Sequence, residues 1–174
     1  MEMNPLLEIR GLKVGYKTYR GKLKVLDGVE LVVGEREKVG LIGESGCGKT
    51  TTMKSVLRIL PVNATLDGGE IYFKGRDLLK MEKKELNEVR RKHVAMIFQD
   101  PTAALNPVFK VREQLEDVLR YSGVFNGNPS KEELREKCIA ALKEVALPDP
   151  ERVLESYPFQ LSGGMRQRVC IAMA

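Results

Sequence analysis

The first third of the chain has the alternating and β-branched pattern of strands. "LLEIRGLKVGY" and "KVLDGVELVV" are two such runs, separated by the turn-prone residues 19–22. "EKVGLIG" is short and almost entirely apolar, which is typical of a strand buried on both faces of a parallel sheet. We therefore predict three strands before the glycine-rich turn that follows this run.

The middle of the chain alternates between helical and extended patterns. "TTMKSVLRIL" predicts a helix that ends before Pro61, because proline cannot continue a helix. Gly68-Gly69 opens a predicted strand, "EIYFKG", and the polar helix "KKELNEVRRK" is followed by a further predicted strand, "HVAMIF".

From about Lys110 the pattern becomes helical. Ser130 and Glu133 form a capping box that predicts the start of a helix. Two apolar stripes at helical spacing follow the chain here: Val111, Leu115, Val118 and Leu119, and then Leu134, Cys138, Ala141, Leu142 and Val145. Cys138 is expected to pack in the core. We divide the chain into a β-rich part with a phosphate-loop core (1–100), a helical part (101–160), and a Ser-Gly-Gly motif with the start of its helix (161–174).

Composition limits the class of protein. An apolar content of 43% with 30% charged residues predicts a soluble globular chain, and no apolar run approaches the roughly 18 residues of a membrane span. The N-terminus lacks the pattern of a signal peptide, and the three scattered cysteines predict neither disulfides nor a zinc site, so we expect the cytosol. The net charge is +5, and the lysines and arginines are interleaved with acidic residues. This distribution argues against nucleic acid as a partner.

One motif indicates a nucleotide. The pattern G-x-x-x-x-G-K-[ST] is matched at every specified position by Gly43, Glu44, Ser45, Gly46, Cys47, Gly48, Lys49 and Thr50. Glycines let backbone N–H groups point inward at phosphate, and the following helix adds its positive N-terminal end. Lys49 would reach the β- and γ-phosphates, Thr50 would bind Mg²⁺, and Thr51 could donate to the α-phosphate. Cys47 is expected to be a small tolerated residue.

Two later segments indicate which class of phosphate-loop protein this is. Gln99 ends the apolar run in "VAMIFQDPTAALNP", and Ser162, Gly163 and Gly164 precede a predicted helix in "YPFQLSGGMRQRV". In this order with the phosphate loop, these segments resemble the ATP-binding subunit of ABC transporters. Met165 and the strings "GESGCGKTT" and "FQDPTAALNP" resemble the peptide/nickel branch of importers, which includes the oligopeptide and dipeptide systems.

The resemblance implies a fold and a set of site residues. The fold would be an α/β phosphate-loop NTPase cassette, with an N-terminal antiparallel β subdomain and a helical subdomain. Tyr16 would stack on adenine, with Tyr19 as the alternative. Gln99 would contact Mg²⁺ and the attacking water, which makes it a catalytic residue beside Lys49. Ser162, Gly163 and Gly164 would bind the γ-phosphate of an ATP molecule held by the opposite subunit, so ATP and Mg²⁺ are the expected cofactors.

Partners follow from the same resemblance. We expect a second ABC ATPase subunit, forming a homo- or heterodimer, and transmembrane permease subunits, with indirect dependence on a solute-binding protein. The chain would be peripheral, on the cytoplasmic face of the cell membrane. Residues 100–157 would dock on the permease near Gln99, through Pro101, Leu105 and Pro107. The expected cargo is peptide, with nickel or oligosaccharide as alternatives, and the alternative function is a non-transport ABC ATPase in DNA repair or translation.

The catalytic apparatus of this family is incomplete in the sequence. Its Walker B aspartate, catalytic glutamate and switch histidine lie after the signature helix, and neither Asp100 nor His93 has the right context to replace them. We therefore expect the chain to be the N-terminal part of a longer subunit that binds ATP, even if weakly, without turnover. The predicted phosphate-loop strand should also lack a neighbour, which would expose apolar residues and favour aggregation or a covering partner.

Overall fold

The computed structural model describes residues 5–125 and 127–174. The chain divides into two compact units, and the boundary lies between Asn87 and Glu88. The elements up to this boundary are β1 (Leu7–Thr18), β2 (Gly21–Val33), α1 (Lys49–Val56), β3 (Ala64–Phe73) and β4 (Arg76–Asp77). The boundary itself falls within α2 (Lys83–Lys92), which the sequence predicts over the same residues.

The first unit contains an antiparallel sheet with the strand order β2-β1-β3-β4. β1 pairs with β2 on one side and with β3 on the other, so its residues are held by hydrogen bonds from both neighbours. Its inward side chains Ile9, Leu12 and Val14 are fully buried, as is Ile71 of β3. The two predicted N-terminal strands and the turn between them are confirmed.

β3 begins four residues before the predicted start at Gly68-Gly69, because these glycines lie inside the strand, at an irregularity in its pairing with β1. Gly69 has φ 96°, and a Cβ atom there would lie 2.5 Å from the Leu12 Cα atom. Only glycine permits such a close approach of two backbones. The glycine pair therefore marks a bulge in the sheet rather than the beginning of a strand.

The prediction of a strand at "EKVGLIG" is wrong, because residues 37–43 have no regular secondary structure in the structure. A strand needs hydrogen bonds from a neighbouring strand, and the described sheet contains no strand paired with this segment. Its side chains are not buried either: Val39 and Leu41 are each 44% exposed, and Ile42 is 95% exposed. Apolar side chains are thus exposed here as expected, but on an irregular segment and not on a strand of a sheet.

The second unit is helical. After α2 its elements are α3 (Pro101–Ala104), α4 (Val111–Ser122), α5 (Lys131–Glu144), α6 (Pro150–Glu155), a 3₁₀ turn (Pro158–Gln160) and α7 (Gly163–Met173). The predicted apolar stripes form its core, which contains Leu105, Val111, Leu115, Cys138, Leu142, Leu147, Val153, Leu154, Leu161, Val169 and Cys170. The predicted capping box starts α5, because the Ser130 N–H donates to Glu133 Oε2 at 2.7 Å and the Glu133 N–H donates to Ser130 Oγ at 3.2 Å.

Two further expectations in this unit are wrong. The predicted strand "HVAMIF" is irregular at residues 94–98, where Ile97 and Phe98 are 46% and 40% exposed, because no strand in the described part of the chain pairs with it. Leu105 is only 3% exposed and packs in the helical core, so it is not available as a docking residue.

Across residues 5–125 and 127–174, no helix has both the length and the apolar character needed to cross a membrane.

Candidate functional site

The glycine-rich loop leads directly into α1. Gly48 is the N-cap residue, with φ 99°, and a Cβ atom there would lie 2.6 Å from Leu26 Cδ2 of β2. The loop is closed on itself by a hydrogen bond from the Cys47 N–H to the Glu44 carbonyl at 3.3 Å. Glycine is therefore required at position 48 by both the backbone conformation and the side chain of β2 beneath it.

Lys49 folds back over this loop. Its Nζ donates hydrogen bonds to the carbonyl oxygens of Gly43 and Glu44, each at 2.7 Å, and lies 3.4 Å from Cys47 Sγ. The ammonium group is thus held above the loop backbone, at the N-terminal end of α1. The positive charge and the N–H groups of the first helical turn are together suited to bind an anion.

The hydroxyl groups of α1 have different partners. Thr52 Oγ1 donates to the Gly48 carbonyl at 3.1 Å, and Ser55 Oγ donates to the Thr51 carbonyl at 2.7 Å, so both are bonded within the helix and its cap. Thr51 Oγ1 instead lies 3.4 Å from the hydroxyl oxygen of Tyr16, at the far end of β1. The structure therefore brings Tyr16 to the phosphate loop, whereas the alternative, Tyr19, is fully exposed at the turn after β1.

The metal-binding prediction concerns Thr50 in this unit. Its side chain is exposed in the first turn of α1, and a hydroxyl oxygen is the hard ligand that Mg²⁺ takes. The described residues contain no group of three or more His, Cys, Asp or Glu side chains that could hold a metal ion. This donor set fits Mg²⁺ bound through one protein ligand and phosphate oxygens, as is usual for Mg²⁺ at nucleotide sites.

Gln99 lies in the second unit and has an exposed side chain. The next residue, Asp100, is the N-cap of α3, because its Oδ1 accepts a hydrogen bond from the Thr102 N–H at 2.8 Å. This role was not predicted from the sequence, although Asp before Pro101 is a recognisable helix-start signal. Asp100 fixes the direction in which the chain leaves Gln99.

The Ser-Gly-Gly motif begins α7. Ser162 is its N-cap, and Ser162 Oγ accepts a hydrogen bond from the Met165 N–H at 3.3 Å. Gly163 and Gly164 are exposed, and a Cβ atom at either position would meet no neighbouring atom. The first turn of α7 is thus exposed at both glycines, and a helix N-terminus of this kind is suited to bind an anion.

Residues 157–161, just before this motif, accept or donate hydrogen bonds with side chains whose role was not predicted from the sequence. The Arg166 guanidinium donates from NH1 to the carbonyl oxygens of Pro158 at 3.2 Å and Leu161 at 3.0 Å. Gln160 Oε1 accepts from the Tyr157 N–H at 2.8 Å. Both side chains bond to backbone atoms of the folded turn, so a residue pattern alone does not predict these contacts. They fix the backbone of the residues that lead to Ser162.

The predicted site residues thus fall into two groups. Tyr16 and residues 43–51 belong to the first unit, and Gln99 and residues 162–164 belong to the second. Chemically, each unit carries a helix N-terminus able to bind an anion, and that of the first unit also has a lysine ammonium. The individual roles of these residues remain predictions.

Comparisons with known proteins agree with these motifs. The family described as "ABC transporter" matches residues 26–174. The chain is 42% identical to the "Probable peptide ABC transporter ATP-binding protein y4tR" of Sinorhizobium fredii, with 100% of the chain and 52% of that protein covered. It is 39% identical to the "Oligopeptide transport ATP-binding protein OppD" of Bacillus subtilis, with 97% and 46% covered. The chain therefore spans about half the length of these relatives.

Solved structures are similar as well. The structure described as the "Dimeric structure of a post-hydrolysis state of the ATP-binding cassette MJ0796 bound to ADP and Pi" has a TM-score of 0.82 at 29% identity, with 96% of this chain and 68% of that chain covered. The "Structure of ATP binding subunit of ABC transporter" has a TM-score of 0.71 at 30% identity, with 97% and 61% covered.

Proposed function

The chain belongs to the ABC transporter family, and on this premise we propose that it is the ATP-binding part of a subunit that powers the import of peptides. The observation that carries the proposal is the loop at residues 43–48, with the Lys49 ammonium 2.7 Å from two of its carbonyl oxygens at the start of α1. This arrangement offers a lysine and helical N–H groups to one anion, as triphosphate binding requires.

Peptide is the proposed cargo because relatives that match nearly all of the chain carry peptide transport in their names. Nickel and oligosaccharide are the alternative cargoes within the same branch. The ATPase subunit does not contact cargo, so uptake has to be measured with the assembled transporter. Loss of labelled dipeptide uptake in a strain lacking the gene supports peptide, and loss of nickel uptake alone contradicts it.

In the proposed site each residue has one task. Lys49 binds and orients the β- and γ-phosphates, Thr51 donates to the α-phosphate, and Tyr16 stacks on adenine. Thr50 would hold Mg²⁺, which when bound neutralises charge on the phosphate oxygens. Steady-state phosphate release by the 174-residue chain is expected to be absent, because the three other groups that hydrolysis needs in this family are not among its residues.

Residues 162–164 of the second unit would act at a neighbouring subunit. We assign Gln99 to Mg²⁺ and the attacking water, and Ser162, Gly163 and Gly164 to the γ-phosphate of an ATP held by a partner subunit. The exposure of Gly163 and Gly164 at the start of α7 supports this assignment, since a ligand from outside the unit can approach the backbone there. The partners would be a second ATPase subunit and the permease, at the cytoplasmic face of the membrane.

Substitution of Lys49 tests ATP binding. Removal of the ammonium group takes one charge-assisted hydrogen bond from the phosphates, so Lys49→Ala should weaken MgATP binding by about tenfold or more. Calorimetric titration of the 174-residue chain with MgATP measures this effect. The matched control is Lys84→Ala, at an exposed lysine of α2, which should bind as the unsubstituted chain does. Equal affinity of the two variants contradicts the proposal.

The alternative function, a non-transport ABC ATPase in DNA repair or translation, has a different partner class. The mixed distribution of charge along the chain disfavours nucleic acid. Purification from cells separates the two functions, because a transport subunit fractionates with membranes and permease. Recovery with nucleic acid or ribosomes, and not with membranes, would favour the alternative.

A further inference from the structure

The hydroxyl of Thr51 stands apart from the other hydroxyls described in α1. Thr52 and Ser55 bond to backbone carbonyls of the helix and its cap, at 3.1 and 2.7 Å. Thr51 Oγ1 is 3.4 Å from the Tyr16 hydroxyl, which is longer than an ordinary O–H···O hydrogen bond, and the contact is partly buried. It is a direct polar contact between the sheet and the helix that carries the phosphate-loop lysine.

Tyr16 is itself held firmly by the sheet. It lies in β1 opposite Leu23 of β2 and Ala64 of β3, so strands on both sides fix its backbone. Next to it, the Lys17 N–H donates to the Asn63 carbonyl at 2.8 Å. The phenol group is therefore presented to α1 from a fixed position.

Thr51 needs such a partner because of its own stereochemistry. Threonine in a helix divides between two χ1 rotamers, since its hydroxyl can also bond to a carbonyl one turn back, as that of Thr52 does. In the structure the Thr51 hydroxyl contacts the Tyr16 phenol, and this contact favours one of the two rotamers over the other.

We propose that the Tyr16 hydroxyl is a positioning group for the phosphate loop, acting through Thr51. In this role Tyr16 contributes to triphosphate binding as well as to base binding. The inference rests on the proposed function, because it assumes that residues 43–51 bind the triphosphate. It differs from stacking alone in one measurable respect: the hydroxyl should influence a ligand that has no base.

Inorganic tripolyphosphate is the probe that separates the two roles. Tyr16→Phe keeps the ring and removes only the hydroxyl, so stacking alone predicts unchanged affinity for magnesium tripolyphosphate. Positioning through Thr51 predicts that Tyr16→Phe weakens magnesium tripolyphosphate binding by about two- to threefold, the effect of a weak hydrogen bond. Calorimetric titration of the 174-residue chain with MgATP and with magnesium tripolyphosphate measures both.

A double-mutant cycle identifies the route. If Tyr16 acts through Thr51, Tyr16→Phe should cost no further affinity when Thr51→Val is already present. Thr51→Ser keeps the hydroxyl, so the effect of Tyr16→Phe should persist in that background. The control is Tyr121→Phe, which removes a hydroxyl from a tyrosine that is 75% exposed in α4 and should change neither affinity nor thermal unfolding.

The outcomes are distinct. Weaker tripolyphosphate binding by Tyr16→Phe, non-additive with Thr51→Val, supports the inference. Unchanged tripolyphosphate affinity, or additive effects, overturns it while the proposed function stands, provided that the unsubstituted chain binds MgATP through Lys49. Failure of the unsubstituted chain to bind either ligand overturns the proposed function and this inference together.

Discussion

At the scale of single residues, the three cysteines differ in burial, and this difference predicts different thiol reactivities. Cys47 is exposed in the phosphate loop, with Lys49 Nζ at 3.4 Å, whereas Cys138 is fully buried in the helical core. Burial raises the pKa of the Cys138 thiol to about 11 and also raises the pKa of Cys170. The predicted core position of Cys138 is confirmed. Since the thiolate is the reactive form, Cys47 should react first.

Thiol labelling tests this difference together with the site. At pH 8 a disulfide reagent should modify one thiol per folded chain rapidly, and Cys47→Ser should abolish that fast phase. Bound MgATP should slow the fast phase, because phosphates in the loop would cover Cys47. A fast phase that survives Cys47→Ser would show that another thiol is accessible and that the burial pattern is wrong.

At the scale of elements, helix ends are fixed by local side chains. The Ser130–Glu133 box begins α5, Asp100 begins α3 and Ser162 begins α7, each with a side-chain oxygen that accepts a backbone N–H of the first turn. Because the partners are two or three residues apart, the sequence contains the information needed to place such ends.

Glu133 gives this capping a pH dependence. The hydrogen bond from the Ser130 N–H, followed by that with the Ser130 hydroxyl, lowers the pKa of Glu133 below its usual 4.5. A carboxylate with a depressed pKa stabilises the fold above its unfolded pKa, and this contribution is lost as the pH falls through the folded pKa. Glu133→Gln should therefore lower the free energy of unfolding slightly at pH 7, and the difference should disappear as the pH falls through the lowered pKa of Glu133.

Urea unfolding of the second unit at several pH values, followed by circular dichroism, measures this difference. Glu144→Gln, at an exposed position in the last turn of α5, is the matched control and should not show the same loss on acidification. A Glu133→Gln effect that stays constant from pH 7 to pH 3 would mean that the charge plays no part in the cap.

Strand pairing is the part of the fold that the sequence could not predict. Residues 37–43 and 94–98 have strand-like composition, yet the described sheet offers neither segment a partner, and both remain irregular. The bulge at Gly69 depends on a 2.5 Å approach to Leu12, which is 57 positions earlier in the chain and invisible in a local pattern. The phosphate loop was predictable because its residues are contiguous, whereas the contact between Tyr16 and Thr51 spans 35 positions.

At the scale of the whole molecule, the predicted fold class is confirmed: the chain has the ABC ATPase cassette fold, represented here by an antiparallel β unit and a helical unit. Each unit carries one helix N-terminus suited to an anion. The exposed apolar side chains at Val39, Leu41 and Ile42 lie immediately before the phosphate loop. A surface of this kind favours association with another protein segment.

The central claim is that residues 43–51 bind the triphosphate of ATP, and hydrogen–deuterium exchange tests it most directly. MgATP should slow deuterium uptake in the peptide that covers these residues, since their N–H groups would donate to phosphate oxygens. The same peptide of Lys49→Ala should show no slowing at that MgATP concentration. Unchanged uptake at residues 43–51 in a sample shown by titration to have bound MgATP would contradict the account.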